Sequence, residues 1–354
     1  MHKNIMSSIY CSIELKLNGK KVLLTGGSGT LGRALTKKLL QLDVDTIRIF
    51  SRDEGKQVLM STDFDDERLR FIIGDVRDKE RIIMAMEDID IVFHIAALKQ
   101  VPVAEYNPFE AVKTNVVGSQ NVIDACMARN IEVAVAISSD KAVSPLNTYG
   151  ATKLLMEKIF SAANFYKGKR KGIFTNVRYG NVMGSRGSVI PQFINSIKKS
   201  SSITITNSEM TRFNITLSQA LDLILFAVDK AVGGEIFVPK LDAYRLGDLA
   251  EVMLELFGAN SIINYSSIRQ GEKMHESLIN ESEALYTIES EGTYIIASPS
   301  MYPQNIDRYR NVLKDCIVGS YSSDKVPVIG KKEIKHLIQH EILNEKNPFR
   351  PTFF

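Results

Sequence analysis

A short apolar run, Lys21 to Leu24, breaks into Thr25-Gly26-Gly27-Ser28-Gly29-Thr30-Leu31-Gly32, and Arg33 to Leu40 then takes up helical spacing. This order of strand, glycine turn and helix constrains the chain more than any other feature. Glycines let the backbone approach a pyrophosphate closely, and the helix that follows aims its unpaired N–H groups and positive dipole end at the phosphates. A glycine pattern alone is weak evidence. The strand before it and the helix and second strand after it carry the argument.

Strand-like and helix-like segments alternate through the first half, which predicts an α/β fold: a doubly wound parallel sheet of the Rossmann type with helices on both faces. Buried strands are expected at Lys21–Leu24, Thr46–Phe50, Arg70–Ile73, Ile91–Ile95 and Val133–Ser138. Helices are expected at Gly32–Leu42, Pro108–Asn130 and Tyr149–Tyr166. Beyond Gly180 the alternation loosens around Pro191, Gly233, Gly234, Gly258 and Gly271, as in a smaller, interleaved C-terminal substrate-binding lobe. The expected division is a leader over 1–20, a dinucleotide-binding domain over 21–180 with later segments returning to it, and a substrate lobe and tail over 181–354. Lys331 to Asn344 reads as an amphipathic helix.

Composition narrows the function classes. The 44 basic and 41 acidic residues are spread along the chain, so neither a nucleic-acid-binding tail nor a polybasic membrane anchor is expected. Glu14 and Lys16 interrupt the apolar residues of the leader, and the most apolar stretches are too short or too charged to span a bilayer. Cys11, Cys126 and Cys316 lie far apart without metal-ligand spacing, which fits a reducing compartment. A cytoplasmic enzyme without a metal is the expectation.

The end of the second strand addresses cofactor choice. An acidic residue there would accept the ribose hydroxyls of NAD, whereas an arginine favours the extra phosphate of NADP. Ser51 and Arg52 suit the phosphate, so NADP is preferred, while Asp53 leaves NAD open and Arg52 also reads as a solvated charge. Asp75 and Val76 have the placement to contact adenine, and Asp75 reads equally as a helix cap.

Tyr149 and Lys153 lie four apart on one helix face. A cation near the phenol favours the phenolate, so the tyrosine is expected to titrate closer to neutrality and to take a hydroxyl proton during hydride transfer.

Thr25-Gly26-x-x-Gly29-x-x-Gly32, Ala96-Ala97, Asn115 and Tyr149-x-x-x-Lys153 together resemble the extended short-chain dehydrogenase/reductases, over Lys21 to about Leu337. The longer words Ala96-Ala97-Leu98-Lys99-Gln100-Val101-Pro102, Ser139-Asp140-Lys141-Ala142 and Arg178-Tyr179-Gly180-Asn181-Val182 resemble the inverting UDP-N-acetylglucosamine 4,6-dehydratases. Ser185-Arg186-Gly187-Ser188-Val189, Met210-Thr211-Arg212-Phe213 and Gly271-Glu272-Lys273 extend that resemblance. Asn214 and Gln270 depart from it, standing where relatives often carry an aromatic residue and a proline.

The resemblance implies a cytoplasmic homo-oligomer, a dimer or a hexamer, acting on a UDP-N-acetylhexosamine for surface-glycan or nonulosonic acid biosynthesis. Thr25, Gly26, Ser28, Gly29, Thr30, Leu31, Gly32, Ser51, Arg52, Asp75, Val76, Ala96, Ala97, Lys99, Asn115, Tyr149, Lys153 and Val182 would hold the cofactor. Lys99, Asn181, Arg186, Arg212, Arg269 and Glu272 would hold the substrate, and Tyr321 to Asp324 offer a further contact.

Oxidation at C4 of the hexose acidifies the C5 proton, a base removes it, an acid helps the C6 hydroxyl leave as water, and hydride returns to C6. By resemblance Lys141 is the base, Asp140 the acid, and Ser139 a donor to the C4 oxygen. A lysine base needs a depressed pKa, through desolvation or neighbouring cations. Asp140 capping a loop with Lys141 in water is the plainer reading of the pair. The rival functions are a UDP-sugar 4-epimerase, a dehydratase with further epimerase activity, and a dinucleotide-sensing protein without catalysis.

Overall fold

Successive residues of the strands alternate between two apolar clusters, which is what a sheet covered on both faces demands. Val22 and Leu24, Ile91 and Phe93, and Val133 and Val135 enter one cluster; Leu23, Val92, Ala134 and Ala136 enter the other. The structure, a computed structural model, describes residues 12–185, 187–200, 202–258, 261–269, 271–298, 319–345 and 347.

The strands are β1 (Lys21–Thr25), β2 (Thr46–Ser51), β3 (Leu69–Ile73), β4 (Ile91–His94), β5 (Val133–Ile137), β6 (Ile173–Val177), β7 (Asn181–Val182), β8 (Ser202–Ile205) and β9 (Thr211–Ile215). They continue as β10 (Ile236–Pro239), β11 (Ala243–Arg245), β12 (Ile262–Tyr265), β13 (Ser277–Ile279), β14 (Thr287–Ser290), β15 (Thr293–Ile296) and β16 (Tyr321–Ser322). Seven of them pair in parallel in the order β3-β2-β1-β4-β5-β6-β10. Antiparallel β15 and then β14 extend the sheet beyond β10. The order reverses between β1 and β4, and ligands of open α/β sheets bind in the crevice at the carboxyl ends of such strands. The expected doubly wound sheet is therefore present.

Helices α1 (Thr30–Leu39), α2 (Glu54–Asp63), α3 (Lys79–Ala85), α4 (Val101–Tyr106), α5 (Pro108–Val112), α6 (Gly118–Ala128) and α7 (Thr148–Tyr166) flank the first six strands. The helix expected over Pro108–Asn130 is interrupted: Lys113–Val117 forms a π-helical turn between α5 and α6. Asn115 sits in that turn and bonds to the loop after β4, so the widened turn serves its side chain.

Helices α8 (Val189–Ser200), α9 (Leu217–Lys230), α10 (Leu246–Phe257), α11 (Glu281–Ala284) and α12 (Lys331–Leu337) follow. A third apolar cluster, including Ile190, Ile203, Leu249, Met253, Ile334 and Ile338, gathers α8, β8, α10 and α12 into a separate lobe. Residues 12–17, within the segment read as a leader, are helical; Ile13 and Leu17 are buried, and Lys16 Nζ donates to Asp229 O at 2.9 Å. No helix among the described residues is long and apolar enough to cross a membrane.

Candidate active site

The glycine turn closes against the end of β4. Gly26 has φ +68°, and a Cβ there would lie 2.8 Å from Ala96 N and Cα, so only glycine permits this approach. A Cβ on Gly32 would lie 2.3 Å from Gly27 O, which packs the helix onto the turn. Gly29 caps α1 without a side-chain hydrogen bond, leaving the first-turn N–H groups of Thr30, Leu31 and Gly32 to an outside acceptor. This cradle fits a dinucleotide pyrophosphate.

Thr25 ties the turn to the rest of the site. Its Oγ1 accepts from Ile95 N at 3.2 Å and Ala96 N at 3.3 Å and meets His94 Nδ1 at 2.8 Å. His94 Nε2 meets Ser119 Oγ at 2.8 Å, and Ser119 donates to Asn115 O at 2.6 Å. Since the Ser119 proton goes to Asn115, His94 carries its proton on Nε2 and accepts from Thr25 through Nδ1. Burial, and then the charge of Lys153, push His94 down to about 3, so the imidazole is neutral.

Asn115 fastens the loop after β4 to the helix that bears Tyr149. Its Oδ1 accepts from Leu98 N at 2.8 Å, and its Nδ2 lies within 2.9 Å of Leu98 O and Thr152 Oγ1. Ala97 is half-buried beside this clasp, and Lys99 is exposed just beyond it.

At the end of β2, Ser51 Oγ accepts from Ser28 Oγ and Gln57 Nε2, each at 2.9 Å. Asp53 caps α2 by accepting from Lys56 N and pairs with Lys56 Nζ, so its carboxylate is engaged locally. Arg52 Nη1 lies 3.5 Å from Asp75 Oδ2. Asp75 is not a helix cap; Asp78 caps α3 instead. Asp75 accepts from Arg77 N and Nε, and although burial works against it, Arg77 and Arg52 hold its carboxyl below the usual range. Val76 is buried against Gly118, where a Cβ would lie 2.7 Å from Val76 Cγ2.

Asp140–Ala142 form a 3-10 turn shortly after β5, capped by Ser139, and Asn147 caps α7, which carries Tyr149 and Lys153. Ser139 Oγ donates to Asp140 Oδ1 at 2.7 Å. Lys141 Nζ lies 3.0 and 3.1 Å from the Asp140 oxygens, 3.3 Å from Asn181 Oδ1 and 3.4 Å from Glu276 Oε1. Lys141 therefore points into a lined site, and the plainer reading of a lysine in water fails.

Two electrostatic expectations are corrected. Burial by itself would lower the Lys141 ammonium, but Asp140 and Glu276 carry it above the usual lysine value. The expected depression is absent because the nearest charges are carboxylates, with Arg212 the opposing cation. Tyr149 is pushed up to about 12 by burial, against its hydrogen bond with Ser139 and the charge of Lys141. Lys153 does not pull the phenol down: its Nζ is held by Ile137 O at 2.7 Å and Met156 Sδ at 3.5 Å. Burial lowers Lys153 to about 8, with Glu157 opposing.

The substrate-lobe residues arrive from β7, β9 and the segment before β13. Arg212 Nη1 donates to Thr211 O at 2.8 Å and Met274 O at 3.0 Å, while Nη2 lies 3.8 Å from Glu272 Oε1. Glu272 Oε2 accepts from Thr206 Oγ1 and Arg269 N; the Arg269 side chain is exposed. Gly271 O accepts from Asn147 Nδ2 at 3.0 Å and Lys273 Nζ donates to Val143 O at 2.5 Å, so this segment crosses the loop between Lys141 and Tyr149. Val182 is half-buried on β7, and Arg186 and Gln270 lie outside the described residues.

Tyr321 bonds to the Leu241 backbone, away from this cluster, whereas Ser323 Oγ meets Thr211 Oγ1 at 2.7 Å and accepts from Glu276 N. Sequence reasoning passed over His94, Tyr244 and Glu276. Tyr244 is buried beside Arg212, Lys141 and Asp140. Glu276 follows three residues after Gly271-Glu272-Lys273, which was the available signal.

The sequence profile of the polysaccharide biosynthesis protein family matches residues 22–298. A relative from Campylobacter jejuni subsp. jejuni serotype O:23/36, named UDP-N-acetylglucosamine 4,6-dehydratase (inverting), is 44% identical over 335 residues, covering 91% of this chain and 98% of its own. A Rickettsia bellii relative named UDP-glucose 4-epimerase is 39% identical over 325 residues, covering 90% of this chain and 95% of its own. The X-ray structure of Pen from Bacillus thuringiensis matches with a TM-score of 0.86 at 43% identity, over 93% of this chain and 99% of that one. With the profile spanning most of the chain and such relatives covering nearly all of it, the chain belongs to the polysaccharide biosynthesis protein family.

Proposed function

We propose that the chain is a UDP-N-acetylglucosamine 4,6-dehydratase that inverts C5, supplying a 4-keto-6-deoxy sugar nucleotide for surface-glycan or nonulosonic acid biosynthesis. One observation carries the reading: the Lys141–Asp140 ion pair at 3.0 Å, with buried Tyr149 feeling both charges. A base and an acid on adjacent carbons are what elimination of water requires. The relative from Campylobacter jejuni with the matching name supports it.

A bound nicotinamide supplies oxidation at C4 and the return of hydride at C6. The chain's own residues manage the protons. Tyr149, bonded to Ser139, takes the C4 hydroxyl proton once its phenol has given up its own, a loss that burial opposes and the Ser139 bond and the charge of Lys141 favour. Asp140 and Glu276 favour the charged lysine, so the resting state is the ion pair, and the working pair forms only when a proton passes uphill from Lys141 to Asp140 across 3.0 Å to give a neutral amine and a neutral acid. Lys141 then takes the C5 proton as Asp140 delivers its own to the C6 oxygen. Reprotonation of C5 from the opposite face inverts it. Asn181, which contacts Lys141, Arg212 with its neighbour Glu272, and the exposed Lys99 would hold the acyl sugar and diphosphate.

NADP is the preferred cofactor, because Asp53 is occupied as a helix cap and by Lys56 while the exposed Arg52, 3.5 Å from Asp75, leaves a guanidinium for a ribose phosphate. The Rickettsia bellii name favours a second reading, a 4-epimerase. Rotation of an oxidised sugar needs no acid–base pair at C5 and C6. Product mass from UDP-N-acetylglucosamine decides between loss of water and an isomer of unchanged mass.

A further inference from the structure

Glu276 is 4% exposed, and its Oε2 has no hydrogen-bond partner. A buried carboxylate is ordinarily paired on both oxygens, so this one is held in place for another reason. Its backbone is clamped by the turn after β16: Glu276 N donates to Ser323 Oγ at 2.9 Å, and Ser323 N donates to Glu276 O at 2.8 Å. The clamp fixes the backbone from which the side chain reaches the cluster. Oε1 lies 3.4 Å from Lys141 Nζ and 4.0 Å from Arg212 Nε. The other charges facing this cluster are Asp140 on the turn after β5, Lys273 on the crossing segment and Glu272, 3.8 Å from Arg212; His275 adjoins Glu276 in sequence, and Asp324 faces His275.

We infer that Glu276 is a positioning residue of the dehydration site: its buried carboxylate keeps the one proton that Lys141 and Asp140 share from escaping to solvent. The inference rests on the dehydratase reading for its purpose. The reactive pair holds one proton before elimination, on Asp140, and one after it, on Lys141. The C5–H electron pair moves into the C5–C6 bond, and the C6 oxygen leaves with the Asp140 proton as water. If the shared proton is lost, Asp140 has nothing to give. Burial and Arg212 both favour that loss, and the charge of Glu276 opposes it.

The test measures the pH at which Lys141 becomes a free amine, by acetic anhydride labelling and peptide mass spectrometry of the intact protein. In E276Q the midpoint moves to lower pH by roughly one unit or more, because an opposing charge about 3.4 Å away is gone. In E276D the charge remains at a longer distance, and the midpoint falls between the other two. If E276Q does not fold, the E276D shift decides alone. Midpoints unmoved in the folded variants overturn the inference, since a purely structural glutamate would change stability and not the titration of Lys141. Water release by the wild-type protein, assayed on the same samples, judges the dehydratase reading separately: its absence sinks that reading and leaves the Lys141 midpoints to judge Glu276.

Discussion

Lys141 and Asp140 are neighbours in sequence and an ion pair in space, with Nζ 3.0 and 3.1 Å from the two carboxylate oxygens. Their separation is short enough for one proton to convert a resting charge pair into a working base and acid. Replacing either partner removes proton transfer while leaving the glycine cradle intact. Lys141→Ala and Asp140→Asn are each expected to cut water release by about 10²- to 10⁴-fold. Dinucleotide affinity, read by fluorescence titration, should stay near the wild-type value.

His94 makes stability depend on acid. Its folded pKa, about 3, lies below the ordinary 6.5, so the unfolded chain binds a proton that the folded chain refuses. The contribution is complete above pH 6.5 and is lost as pH falls from there toward 3. The slope reaches about 1.4 kcal/mol per pH unit within that window. Urea unfolding from pH 7 to 4 should show a shallower loss in His94→Asn than in wild type, whatever the variant's stability at pH 7.

Much of the sheet was legible because buried strands are written locally: Lys21–Leu24 and Val133–Ser138 differ from β1 and β5 by one residue at one end. The glycine turn was legible for the same reason, since Gly26 and Gly32 answer to neighbours fixed by the motif itself. Long-range contacts were not. Lys273 reaches Val143 across 130 residues, and Lys16 reaches Asp229 across 213. No periodicity in either segment encodes its partner. The π turn at Asn115 was hidden because its cause, the Leu98 backbone, lies 17 residues away. Tyr149 was found by its spacing to Lys153 and Lys141 by resemblance, but their electrostatics were misjudged. Burial decides Tyr149, while Asp140 and then Glu276 outweigh burial at Lys141; Asp140 adjoins Lys141 in sequence, but neither the burial nor the approach of Glu276 is visible along the chain.

Arg178 is fully buried and joins Glu157 of α7 to Glu283 of α11 through bonds of 2.6 to 2.9 Å. This links the helix of Tyr149 and Lys153 to the substrate side. Arg178→Ala would strand two carboxylates in the interior and is expected to cost about 3–5 kcal/mol. Chemical denaturation measures it, and a cost below about 1 kcal/mol would contradict the assignment of Arg178 as the link.

Arg52 is held near the expected ribose site by Asp75 at 3.5 Å. A charge-assisted contact to the NADP 2′-phosphate is worth about 1.5–3 kcal/mol. Arg52→Ala should therefore weaken NADP binding by roughly 10- to 100-fold and leave NAD affinity nearly unchanged, as calorimetry with each dinucleotide would read.

The most direct test of the account is the product formed from UDP-N-acetylglucosamine in deuterium oxide, read by mass spectrometry and NMR. The account predicts a 4-keto sugar nucleotide that has lost one water, carries solvent deuterium at C5 and has the inverted configuration there. A product of unchanged mass, differing only at C4, would contradict it.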